Sequence, residues 1–214
     1  MSTSALLRAY VEEVLQKYPE LRLHPSADDE TVLAGRFEFS AQTRGQAPIS
    51  DCYEISISVA SDYPRTVPLV RETADRIPRN FHKLDSGHLC LGSPTRLRLI
   101  LAETPSLLSF VERCLVPYLY GYSIVEGGGD LPFGELSHGA PGLRDDLASM
   151  LGVENDQVLI GFVRLLTLKK RKANKLPCPC GSGKRLGLCH NRIINRVRSD
   201  LGHGWFCSLL YGPR

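Results

Sequence analysis

The segment Cys178-Pro-Cys180-Gly-Ser-Gly-Lys-Arg-Leu-Gly-Leu-Cys189-His190 restricts this chain more than any other feature. Three thiols and one imidazole are the donor set of a closed tetrahedral zinc site, in which no coordination position stays open for substrate. Such an ion is structural. Gly181 and Gly183 admit the positive φ angles that return Cys189 and His190 to the first two ligands. A segment of about 40 residues buries little core, so metal binding would supply part of its folding free energy.

The remaining cysteines are Cys52, Cys90, Cys114 and Cys207, which makes seven in all. An odd, clustered set fits metal binding or catalysis better than disulfides, and since the N-terminus does not read as a secretory leader, a cytoplasmic chain is expected. No apolar run approaches the roughly 20 residues that cross a bilayer, so no membrane partner is expected. The net charge of +3 conceals two halves of opposite sign. Residues 1–156 carry 14 Lys/Arg against 22 Asp/Glu, and residues 157–214 carry 12 against one. The basic half can hold an acidic partner, dock on the acidic half, or be a solvated face. It lacks the interleaved aromatics that stack on bases, so nucleic acid ranks last among partners.

Periodicity predicts an α+β fold. Leu6, Leu7, Tyr10, Val11, Val14, Leu15 and Tyr18 share one stripe of a helix over 5–18, which Pro19 ends. Strands follow at 21–24 and 31–40, then a turn punctuated by Gly45, Pro48 and Asp51. From Tyr53 to Val59 apolar residues alternate with Glu54, Ser56 and Ser58, as in a half-buried antiparallel strand. Pro68 relegates the next strand to an edge. Residues 78–95 read as irregular, Thr104-Pro105 as a helix start, and Gly127–Gly129 as a hinge or tight turn. Further helices are expected at 141–151, at 155–171 with a basic end, and from His190 through Leu201. Cys52 and Cys114 read as core residues, Cys207 is unassigned, and His24, His88, His138 and His203 receive no role. The stretch from Pro132 to Gly139 reads as a shaped loop that either flanks an active site or joins helices.

Cys90 lies in Gly87-His-Leu-Cys90-Leu91, after an irregular loop and before helices. On local sequence it is a small buried residue between two leucines or a nucleophile. A thioester needs a thiolate and hydrogen-bond donors for its oxyanion.

Two resemblances bear on these residues. The ligand segment resembles the SEC-C motif, a short zinc segment that serves as a docking module for proteins or ribosomes. The order of helix, strands, Tyr63-Pro64…Pro68, loop, cysteine and helices resembles the ubiquitin-conjugating enzymes over roughly residues 5–120, with Gly87 at the family's distance from the cysteine. That resemblance implies a meander sheet packed on helices and a thioester on Cys90. It divides the chain into residues 1–126, a helical extension over 127–173 and a zinc module over 174–214. The family's His-Pro-Asn tripeptide is here Asn80-Phe81-His82, so His82 stands where asparagine would order the loop or stabilise the oxyanion. A histidine there can donate to an oxyanion or accept a proton from the attacking amine. Asp85 is a candidate for aligning or deprotonating the incoming lysine, and Gly92 replaces the family's acidic residue. The combination of both parts resembles proteins of short anti-phage signalling operons. It implies, as modifier, a cGAS-like nucleotidyltransferase or a ubiquitin-like protein, passed to target lysines. The alternative is a non-catalytic adaptor of the same fold, in which Cys90 only packs.

Overall fold

The computed structural model describes residues 3–26, 30–43, 47–131 and 139–211. The chain divides into two compact units, Met1–Leu136 and Ser137–Arg214.

The first unit opens with α1 (Thr3–Lys17), whose Val11 and Val14 are buried as the stripe predicts. Four strands follow: β1 (Leu21–His24), β2 (Glu30–Ala41), β3 (Ile49–Ala60) and β4 (Leu69–Glu72). They form an antiparallel sheet in the order β1-β2-β3-β4, the meander expected of an α+β fold. Leu33 pairs with Ile57 and Phe37 with Tyr53. The pleat therefore sends Leu33, Phe37, Tyr53, Ile55, Ile57 and Val59 to one face, where all are buried. Cys52 lies on the other face and is only half-buried, which corrects its expected place in the core. Asp51 lies inside β3 rather than in the turn before it, and Gly45 falls outside the described residues.

The helical side departs from expectation in two places. Residues 78–95 are not irregular to their end, because α2 (Pro94–Glu103) begins there. Ser93 caps it by accepting from the Arg96 N–H at 3.1 Å, and Pro94 occupies the first turn, where a missing amide costs nothing. Thr104 is consequently the end of α2, and the next cap is Ser106, which accepts from the Ser109 N–H at 3.2 Å. From there α3 (Leu107–Phe110), a π-helical turn (Val111–Leu115) and α4 (Val116–Glu126) follow one another. Pro117 has no amide for an intrahelical bond, and just before it the Val116 N–H reaches back five residues to the Val111 carbonyl. Phe110, Leu115 and Leu119 bring this helical run onto the sheet's buried side, and Cys114 is in the core as expected.

An ionic clamp joins the start of β3 to the end of α4. Arg76 meets both oxygens of Asp51 at 2.9 and 2.8 Å, contacts Glu126, and lies over the Tyr53 ring. Ser123 on α4 donates to the same Asp51 carboxylate.

The second unit contains α5 (Gly139–Leu151), α6 (Asp156–Leu166), α7 (Lys170–Ala173), a 3-10 turn (Leu186–Leu188), α8 (Asn191–Leu201) and α9 (His203–Tyr211). Its core includes Leu147, Leu159, Phe162, Leu186, Val197 and Phe206. α6 stops at Leu166, not at 171, so the basic run from Lys169 to Lys172 is not its C-terminal turn. The carbonyls left at that end are taken by tertiary donors: Arg198 bonds the Leu165 and Leu168 carbonyls and His203 that of Thr167. α9, which carries His203, has no counterpart among the expected helices. Residues 132–138, which hold most of the anticipated shaped loop, lie outside the described residues. Among the described residues, no helix is long and apolar enough to cross a membrane.

Candidate metal centre and the Cys90 hairpin

The two arms of the metal motif are joined by backbone bonds. The Cys178 N–H donates to the Lys184 carbonyl and the Leu186 N–H to the Leu176 carbonyl, each at 2.8 Å. Gly181 at φ 78° and Gly183 at φ 71° make the knuckle between them, as the spacing predicts. The 3-10 turn then delivers Cys189, and His190 stands at the N-terminus of α8. Buried Leu186 and Phe162 support the knuckle from beneath, and the His190 ring lies 5.1 Å from that of Phe162.

The four ligand atoms of Cys178, Cys180, Cys189 and His190 lie within 4.8 Å of one another. His190 Nδ1 is 3.2 Å from the sulfurs of both Cys178 and Cys189, and the Cys180 and Cys189 sulfurs are 3.5 Å apart. Metal–sulfur bonds of about 2.3 Å and metal–nitrogen bonds of about 2.0 Å place tetrahedral donors about 3.5–3.8 Å apart, so donors gathered within this span can close on a single cation. Nδ1 is the His190 nitrogen that faces the sulfurs, so it is the one that would hold a cation. Burial pushes the Cys178 thiol up to about 12, and a hydrogen bond with Ser182 lowers Cys180 to about 6. A cation among them would take the place of the thiol protons. Ser182 Oγ also lies 3.2 Å from the Cys189 sulfur, an outer contact not anticipated from sequence.

In the first unit, Cys90 sits on a short hairpin against the free edge of β4. The Leu89 N–H donates to the Val70 carbonyl at 2.7 Å, and Lys83 pairs antiparallel with Leu89. One step along that register, the Cys90 N–H donates to the His82 carbonyl at 2.7 Å. The hairpin thus sets His82 opposite Cys90. Leu89 is buried, whereas Cys90 is half-buried on the other side of its strand. Burial pushes the Cys90 thiol up, and a hydrogen bond from the Gly92 amide works against that.

The other candidates are more distant along the hairpin. Asn80 is exposed in the turn before His82, where the Phe81 N–H bonds the Pro78 carbonyl. Asp85 is exposed at the closing turn, next to Ser86, which contacts His88 Nδ1 at 2.9 Å. His82 has a left-handed backbone at φ 38°, a conformation costing a non-glycine residue on the order of 1 kcal/mol. Tyr118 of α4 reaches this strand: its hydroxyl donates to the Phe81 carbonyl at 3.0 Å and lies 3.3 Å from that of His82. Sequence reading missed Tyr118, because nothing local connects residues so far apart in the chain.

Among curated proteins, none matches this chain. Residues 176–192, the stretch that carries all four ligands, match the family model of the SEC-C motif.

Proposed function

We propose that the chain is a ubiquitin-conjugating-like acyltransferase, with Cys90 as the thioester-forming residue and a structural zinc ion on Cys178, Cys180, Cys189 and His190. The observation that carries this reading is the hairpin: it sets a half-buried thiol opposite a histidine, beside a meander sheet and four residues ahead of a capped helix. In the reaction the thiolate attacks an activated C-terminal carbonyl of the modifier and expels its leaving group. A lysine amine of the target then attacks the thioester, the tetrahedral intermediate collapses, and the thiol is regenerated. His82 is the candidate donor to the oxyanion or acceptor of the amine proton. The modifier is a cGAS-like nucleotidyltransferase or a ubiquitin-like protein, and the setting is anti-phage defence.

Zinc is the cation that three thiolates and one imidazole suit in tetrahedral array, and with all four positions filled it is structural. Lys169 to Lys172, Lys175, Lys184 and Arg185 are exposed around the knuckle, and none forms an ion pair among the described residues. Unneutralised charge of one sign there supports docking on an acidic protein surface.

A second reading, a non-catalytic adaptor, is favoured by one observation: burial raises the Cys90 thiol, whereas thioester-forming cysteines work as thiolates. Trapping separates the two. In Cys90→Ser coexpressed with its operon neighbours, intact mass should show an added protein that hydroxide removes and that Cys90→Ala never acquires. A folded, zinc-loaded Cys90→Ser that gains no mass while the neighbours are expressed would assign the chain to the adaptors.

A further inference from the structure

We infer that Tyr118 is the positioning residue of the Cys90 site: from α4 it holds the strand that faces the thiol and so sets how deeply the thiol is buried. This rests on the reading of Cys90 as the reactive residue. The chain of bonds is short. The Tyr118 hydroxyl donates to the Phe81 carbonyl and reaches that of His82, and the His82 carbonyl receives the Cys90 N–H. The strand it grips is one that needs holding, since His82 occupies the left-handed region. Phe81 completes the grip by packing edge-on against Tyr118 and Tyr122, with ring centroids 5.6 and 4.9 Å away. The other strand has its own anchors, because Leu89 bonds the Val70 carbonyl on β4 and Arg71 bonds the Ser86 carbonyl. Tyr118 therefore supplies a hydroxyl that ties the 81–82 side to the helices. Burial first, and Cys90 nearby, raise its own ionisation, so it stays a donor across neutral pH.

The test reads the thiol itself and needs no modifier. Full-length protein is alkylated with iodoacetamide over a pH series, and modification of the peptide carrying Cys90 is followed by mass spectrometry. In Tyr118→Phe the ring packing against Phe81 remains and only the hydroxyl's bonds are lost. Water should then reach the thiol, lowering its midpoint by about half a pH unit and raising the alkylation rate below the midpoint about threefold. Tyr122→Phe is the control, since its hydroxyl makes an equivalent bond from the same helix to the Arg76 carbonyl. It should leave the Cys90 midpoint where it is. A midpoint unchanged in Tyr118→Phe, or shifted equally in both variants, would overturn the role. If the trap on Cys90→Ser fails while Tyr118→Phe still moves the midpoint, the proposed reaction is wrong and the positioning role stands.

Discussion

At the scale of single residues, the Asp51–Arg76 pair shows how a local contact acquires a measurable pH signature. Arg76 beside it holds the Asp51 carboxyl at about 2, against an ordinary 3.8, although burial pulls the other way. Arg76 stays cationic throughout, so the acid limb belongs to the carboxylates. A folded-state value below the unfolded one means stability that is complete above about pH 4 and is lost as pH falls towards 2. Arg76 is exposed and Asp51 only half-buried, so solvent screening discounts the shift to a contribution of about 1 kcal/mol. Denaturant titrations of the wild type should therefore lose about that much over this window, and Arg76→Ala should lose less there because it lacks the pair from the outset. Arg76 and Asp51 were not paired in the sequence reading: 25 residues separate them, and Asp51 looked like turn punctuation.

At the scale of elements, the metal knuckle and α6 meet with no spare room. A Cβ on Gly161 would stand 2.7 Å from the Cβ of Pro179, between two ligands. The Pro179 ring cannot swing away as a flexible chain end would, so Gly161→Ala must move the helix or the knuckle. The expected result is a destabilisation of about 1–3 kcal/mol, with weaker metal retention in a chelator competition. An equal melting temperature and metal affinity in Gly161→Ala would show that the contact is slack. The alternating pattern of β3 was legible in the sequence because period two admits one burial pattern, and so was the helical stripe of α1. The start of α2 was not read, although Ser93-Pro94 has the same cap-then-proline grammar that was credited to Thr104-Pro105. Helices follow both places: α2 opens after Ser93, and the run that carries Leu107 opens after Ser106 rather than Thr104, which ends α2.

At the scale of the whole molecule, the two compact units should respond to metal removal independently. The four candidate ligands all belong to one unit, and binding of a metal there would be linked to the folding of the segment that supplies them. One zinc per chain is expected by elemental analysis. A strong chelator, or Cys189→Ser, should abolish or greatly weaken metal binding and raise amide exchange in α6 and α8. The strands β1–β4 should keep their protection. Exchange rising equally in the sheet would mean that the units do not fold separately.

What the sequence determined by itself was whatever depends on neighbours in the chain. The metal ligands belong here, since two glycines and a short spacing suffice to bring them together, as do the meander of alternating strands and the proline-terminated first helix. Tertiary structure decided the rest. The end of α6 is set by Arg198 and His203 taking its last carbonyls, and the left-handed turn at His82 sits within reach of a hydroxyl on α4. The surroundings of Cys90 are of this second kind. Its strand borrows the edge of β4 and its partner strand borrows Tyr118, and hydrogen bonds between distant segments leave no periodic trace in the chain that makes them.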